Sequence, residues 1–308
     1  MSRTRLISKG LGFLCCCYAI IAGQPSTAAA QDNQSKIISP AEATPSETGS
    51  ALSVSLRSSF VSSYMYRGLK LYSGVSMQPS AGAFYSLGDA GTIGASIWAQ
   101  VPLEDDQTTI RFFDADGNNI VQDLNQKFFE LDPTLSYDIS FDAITASVGH
   151  IWYTDPGYGE DEFFVNGVKR SLGERAPDTS EFYLGLSLDV PGQPQLTVYY
   201  DYRTIEYFYY SLGFSHQLEV PALGEDFSLT PYVVFGFASD AADDIAVYNE
   251  DGLEHINLGV TTSVKWGIFQ LKPNFVYVLS TEDEDDNGNT RTSDQFVFGI
   301  DVAYDFGI

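Results

Sequence analysis

Beyond residue 17 the chain has no cysteine; its three, Cys15, Cys16 and Cys17, stand together near the N-terminus. The body of the protein therefore has no disulfide framework, thiol nucleophile or thiolate metal site. An exported chain of this kind must draw its stability from its own fold. Basic residues are scarce as well, 16 against 41 acids, for a formal net charge of −25. That balance argues against nucleic acid, whose binding needs a basic footprint. It also argues against a peripheral protein held on anionic lipid. Catalytic signatures are missing: there is no G-x-S-x-G. His150, His216 and His255 form no H-x-x-H or H-E-x-x-H arrangement, so no metal site is expected. A Ser-His-Asp set assembles in space and leaves no such trace. His216 shares the apolar row of Phe214 and Leu218 and reads as a side chain near the membrane rim. No cofactor and no enzymatic activity are expected.

The first thirty residues have the layout of a secretory signal. Arg3, Arg5 and Lys9 make a basic region, Leu11 to Gly23 an apolar one, and Ala28-Ala29-Ala30 a small-residue cleavage site. The apolar region is shorter than the ~20 residues a membrane helix needs. Residues 31–50 are rich in Ser, Thr, Pro and Glu without apolar periodicity, and are expected to be a disordered leader.

From Ala51 a period of two takes over, the signature of a strand with unlike faces. It is clearest at the end: Phe296, Phe298, Ile300, Val302, Tyr304, Phe306 and Ile308 alternate with Val297, Gly299, Asp301, Ala303, Asp305 and Gly307. The first such stretch carries Leu52, Val54, Leu56, Phe60, Tyr64 and Tyr66 against Ser53, Ser55, Arg57, Ser59, Ser63 and Arg67. Further strands are expected over 75–87, 92–101, 127–137, 141–153, 180–190, 195–203, 207–219, 227–238, 254–266 and 268–279. The facing of 141–153 is ambiguous, because Ile144, Ala146, Val148 and Trp152 compete with Phe141, Ile151 and Tyr153.

Twelve strands with no helix between them predict an all-β fold: a single transmembrane antiparallel up-and-down β-barrel over 51–308. Three features favour a membrane barrel over a soluble one. Connections mostly alternate short and long, with a brief exception near Thr204, as expected for periplasmic turns and extracellular loops. On that pattern 102–126, 154–179, 239–253 and 280–294 lie outside the cell. The apolar rows hold no charge at mid-strand, where Arg or Lys would cost ~2–4 kcal/mol. Aromatics gather near strand ends at Tyr64, Tyr66, Trp98, Tyr137, Trp152, Trp266, Tyr304 and Phe306, suggesting interfacial girdles. Pro79, Pro133, Pro231 and Pro273 fall inside the strands and are expected at strand ends or bulges.

Opposite the apolar rows lie the candidate pore-lining residues Arg57, Arg67, Glu130, Asp132, Asp201, Arg203, Lys272, Asp301 and Asp305. An acidic extracellular mouth is expected at Glu282, Asp283, Glu284, Asp285 and Asp286. Asp114 to Asn119 and Glu282 to Asn289 resemble the start of a calcium loop. The first lacks the Glu an EF-hand needs at position twelve, which is Asn125 here. Loose divalent-cation binding by these acids is the most they suggest.

Several segments resemble the TorF-type porin family of Gram-negative outer membranes. Phe60-Val61-Ser62-Ser63-Tyr64-Met65-Tyr66-Arg67-Gly68 is similar to its opening S-x-Y-x-x-R-G strand. Glu130-x-Asp132 with Tyr137, then Gly149 to Tyr153 and Pro156, resembles its E-x-D…G-x-x-x-Y-x-x-P run. Ser180 to Leu186 followed by Tyr199-Tyr200 looks like its next hairpin. The resemblance implies an outer-membrane barrel and a passive channel, with no catalytic residues. The expected function is a small channel for ions or small solutes with an acidic mouth and weak cation preference, its partners being outer-membrane lipids and those solutes. The alternatives are a non-conducting structural barrel and a lipid-modifying barrel enzyme.

Overall fold

The structure, a computed structural model, describes residues 51–104, 106–113, 119–126, 129–154, 162–165, 168–171, 179–203, 206–223, 227–239, 251–281 and 294–307. The signal, the leader, both calcium-like runs and the acidic run 282–286 lie outside the described residues.

Twelve long strands make the wall: β1 Leu52–Val61, β2 Ser76–Ser86, β3 Thr92–Pro102, β4 Glu130–Phe141, β5 Ile144–Tyr153, β6 Thr179–Leu188, β7 Gln195–Asp201, β8 Phe208–Ser215, β9 Ser228–Ser239, β10 Gly252–Trp266, β11 Phe269–Ser280 and β12 Gln295–Gly307. Each pairs antiparallel with its neighbours in sequence, and β12 returns to β1 from Ser53↔Gly307 to Val61↔Gly299. The result is a closed barrel with no free edge, the one sheet form that satisfies every strand in lipid. Leu218–Glu219 continues β8 against β9 after a break at His216 and Gln217. Among the described residues the only helical turns are the 3-10 segments Gly88–Ala90 and Pro221–Leu223.

The period of two sorts the side chains as expected. Leu135, Leu184, Leu258 and Phe298 point outward and are 51%, 56%, 45% and 56% exposed, an apolar exterior made for lipid. The ambiguous fifth strand turns Ile144, Ala146, Val148, His150 and Trp152 outward and buries Ile151 and Tyr153 inside. Inward glycines carry rings across them. A Cβ on Gly149 would lie 2.3 Å from the Tyr183 ring, which lies flat against the wall there.

Several boundaries move. β4 runs on through Asp138, Ile139 and Ser140, and the turn falls instead at Asp142, in the left-handed region with φ 50°, followed by Ala143. The long connection 102–126 contains a hairpin of Asp106–Phe113 with Asn119–Gln126. The connection 154–179 contains another, Glu162–Val165 with Val168–Ser171. The four prolines are inside strands rather than at their ends, and all share the outward face. Each sits where one ladder is interrupted: Pro79 beside a gap in β2–β3 pairing, Pro133 beside one in β4–β5, and Pro273 beside one in β10–β11. Pro231 lies opposite the break after β8. A missing N–H is harmless where no acceptor is presented.

The largest departure follows β1. The first strand ends at Val61 rather than running on to Arg67. The chain then turns into the barrel as a hairpin of Tyr64–Tyr66 and Leu69–Tyr72. Its tip is Arg67, φ 50°, and Gly68, φ 84°. A Cβ on Gly68 would come within 2.7 Å of His255, so only glycine fits here on both counts.

Candidate functional site

Alternation breaks down at Ser62, which frees the next residues from the wall and lets each side chain take a different direction. Met65 points into an apolar wall of Tyr232, Val234, Val276, Val278 and Val297. Tyr64 packs on Trp98, centroids 5.8 Å apart, and donates to Glu130 Oε2 at 2.6 Å. Tyr66 meets the Tyr153 ring edge-on at 6.1 Å. Leu69 packs beside Tyr207 and Tyr209. Tyr72 is buried and donates to the Glu104 carbonyl. Wall residues that meet this hairpin come from β3 and β4 around to β12, all at the end of the barrel where the long connections lie. The hairpin crosses the lumen at that level, touching opposite sides of the wall.

Its anchor is Arg67, 4% exposed. Nη1 and Nη2 donate to Glu181 Oε1 and Oε2 at 2.7 and 2.6 Å, a bidentate pair. Nη1 also donates to the Tyr207 hydroxyl at 2.5 Å. Around the guanidinium stand the rings of Tyr209, Tyr199, Tyr66 and Tyr207, with centroids 4.3, 4.5, 4.8 and 5.9 Å from Cζ. A desolvated cation–π contact contributes ~2 kcal/mol or more. Tyr153 donates to Glu181 Oε2 at 2.7 Å and so fixes the carboxylate from behind. Asp201 stands directly opposite Glu181 across β6 and β7 and is fully buried. It accepts from the Thr179 hydroxyl at 2.6 Å and the Arg203 main-chain N–H at 3.0 Å. Burial raises the Tyr207 phenol to about 12 and holds that of Tyr66 well above its ordinary value, so both keep their protons. Burial opposes the charge on Arg67, but the Glu181 carboxylate together with the surrounding tyrosines Tyr207, Tyr66 and Tyr153 outweighs it and holds the guanidinium protonated.

A second polar group backs the tip. His255 Nε2 lies 2.7 Å from the Tyr209 hydroxyl and Nδ1 lies 3.0 Å from Asn257 Oδ1. Toward the short-turn end lies a small pocket of mixed lining. Arg57, Ser59, Ser80, Lys272, Asn274 and Asp301 line it beside Val61, Trp98 and Ala303, with Lys272 and Asp301 directly opposite each other in register.

The sequence-predicted residues thus divide. Arg67, Glu130, Asp132 and Asp201 are buried at the hairpin level, Arg67 on the hairpin and the others on the wall. Arg57, Lys272, Asp301 and Asp305 face inward toward the other end. Arg203 does not join them. β7 ends at Asp201, and Arg203 is exposed in the connection beyond it, because the strand period stops applying once the chain leaves the ladder. Tyr64, Tyr66 and Trp98 are not girdle residues. They are inside the barrel, while Tyr137, Trp152, Trp266, Tyr304 and Phe306 lie on outward rows. The histidines sit apart: His255 in the lumen, His216 exposed after β8, and His150 on the outer face beside Trp152, Phe182 and Tyr202. Among the described residues no group of three or more His, Asp or Glu side chains could hold a metal.

Sequence reasoning missed Glu181, Tyr153, Tyr199, Tyr207, Tyr209 and His255. All but Tyr207 share the inward parity of their strands, so a buried Glu opposite Asp201, amid inward tyrosines, was a usable signal.

A closed antiparallel barrel of even strand number, apolar outside and polar inside, is an outer-membrane β-barrel, and the outer membrane is its location. No protein-family model matches the chain, and no curated protein is similar to it. Solved structures similar to it are outer-membrane barrels. An outer-membrane channel from Pseudomonas putida F1 is 13% identical with a TM-score of 0.47, over 83% of this chain and 96% of that one. LpxR from Salmonella typhimurium is 9% identical with a TM-score of 0.45, over 81% and 99%. OmpT of Vibrio cholerae is 10% identical with a TM-score of 0.37, over 83% and 97%. At these identities the likeness is one of architecture. The expectation that the chain is no enzyme does not stand: the likeness is to a fold alone, and one fold hosts unlike activities. The fold therefore gives no ground for excluding catalysis.

Proposed function

We propose that the protein is a passive outer-membrane channel for ions or small solutes, of the TorF porin type, held closed by its inner hairpin. The observation that carries this reading is the nature of the constriction. A short hairpin crosses the lumen; its covalent links to the wall are β1 and β2 alone, the rest of its hold being side-chain contacts, and a small pocket lined partly by charged residues lies beyond it. A stop of that kind can be withdrawn without disturbing any wall strand. A barrel filled by its own wall side chains cannot be opened so. The acid-rich long connections support a weak cation preference at low salt, since a mouth of one sign concentrates counter-ions. Reversal potentials across a salt gradient check that preference.

The main test is conductance in planar bilayers. The unmodified protein should be silent or open rarely. A variant with residues 65–71 replaced by a Gly-Ser linker should give stable unitary steps. Silence from both, with intact barrels, would favour a non-conducting structural role. Hydrolysis of liposome or lipopolysaccharide lipid by the purified protein, without conductance from either form, would favour a lipid-modifying enzyme.

A further inference from the structure

The cage around Arg67 is a cation receptor filled by the chain's own cation. Glu181, Tyr153, Tyr199 and Tyr209 belong to the wall, and Tyr207 immediately precedes β8. Of the groups that touch the guanidinium, only Tyr66 travels with the hairpin. If the hairpin leaves, the wall keeps the Glu181 carboxylate, still held by the Tyr153 hydroxyl and flanked by the faces of Tyr199 and Tyr209. It also keeps Asp201 opposite Glu181, two carboxylates against the one guanidinium. A planar guanidinium uses both the two-oxygen fork and the ring faces; an ammonium uses neither fork nor stacking in the same way.

We propose that this cage is a guanidinium-binding site that Arg67 occupies in the closed barrel, and that a solute bearing a guanidinium group takes its place and so opens the lumen. The opening half rests on the channel reading above; the binding half does not. A site covered by a tethered occupant binds an outside ligand more weakly by the fraction of time it stands vacant. With the hairpin seated 99% of the time, that factor is ~100.

The probe is L-arginine methyl ester, with L-lysine methyl ester as its control, titrated calorimetrically into the detergent-solubilised full chain. The linker variant lacking residues 65–71, and Arg67→Ala, should each bind the arginine ester roughly 100-fold more tightly than the unmodified protein. The lysine ester should bind at least tenfold more weakly than the arginine ester. Glu181→Gln in the linker variant should abolish binding. No saturable binding to either variant, equal binding of the two esters, or indifference to Glu181→Gln would overturn the site. In bilayers the arginine ester, and not the lysine ester, should raise the open probability of the unmodified protein. If the linker variant conducts while the unmodified protein stays silent at saturating arginine ester, displacement is wrong and the channel reading stands. If the linker variant binds the ester yet never conducts, the channel reading falls and the binding site stands.

Discussion

Replacing Glu181 with Gln should unseat the inner hairpin while leaving the barrel intact. Glu181 accepts two hydrogen bonds from Arg67, at 2.7 and 2.6 Å, and one from Tyr153 at 2.7 Å, at a position 1% exposed. An amide of the same shape keeps one acceptor and turns an N–H₂ toward a donor. The guanidinium then stays buried with its counter-charge gone. Removing one partner of a buried pair costs about 3–5 kcal/mol, because the other charge is left without compensation. Burying Met65 contributes ~1.5–3 kcal/mol to seating in both proteins, so it cancels from the comparison. At 1.4 kcal/mol per decade, a shift of ~3–5 kcal/mol enlarges the unseated population roughly 100- to several-thousand-fold. Hydrogen exchange of the amides of residues 64–72 reads it directly, and β5–β7 amides serve as the control. Protection should fall by that factor in the hairpin alone. Arg67→Met combined with Glu181→Met should recover most of it, because removing both charges leaves none uncompensated. Unchanged hairpin protection in Glu181→Gln would refute the reasoning, and so would a double variant looser than the single one.

Gly68→Ala should loosen the same hairpin, as it needs φ 84° and brings a Cβ within 2.7 Å of His255. Left-handed strain in a non-glycine residue costs ~1–3 kcal/mol, seen as faster exchange at the tip with the barrel's thermal unfolding unmoved. Trp98→Ala should remove the seat of Tyr64 and cost about 3–5 kcal/mol, measured by urea titration of the protein refolded in liposomes. Leu184→Arg places a charge on the lipid face, at a residue 56% exposed. It should cost ~2–4 kcal/mol if that position lies at mid-bilayer, measured by the same titration, whereas Ser147→Arg, directed into the lumen from β5, should cost less.

Most of the wall was legible in the sequence by itself. Strand identity and facing rest on a local rule, alternation against an apolar solvent, and that rule needs only neighbours two residues apart. Hence Phe296 to Phe306 declared both faces of β12, and Asp301, Asp305 and Lys272 were inward before any coordinate was known. Ring closure followed from an even count of strands, since lipid tolerates no open edge. The rule fails where the chain leaves the ladder. Tyr64, Tyr66 and Arg67 keep the spacing of a strand yet fold into the lumen, because Arg67 and Gly68 adopt positive φ and make a turn. Arg203 fails in the opposite direction, falling outside because β7 stops two residues earlier. Strand 141–153 was a tie in the sequence, and pairing decided it: Val148 must share a face with exposed Leu184, and Gly149 must lie beneath Tyr183. The site itself belonged to the tertiary structure. Arg67 and Glu181 are 114 residues apart. No local pattern joins them; barrel closure and an inward hairpin bring guanidinium and carboxylate within 2.6 Å, in a lumen where neither charge is stable without the other.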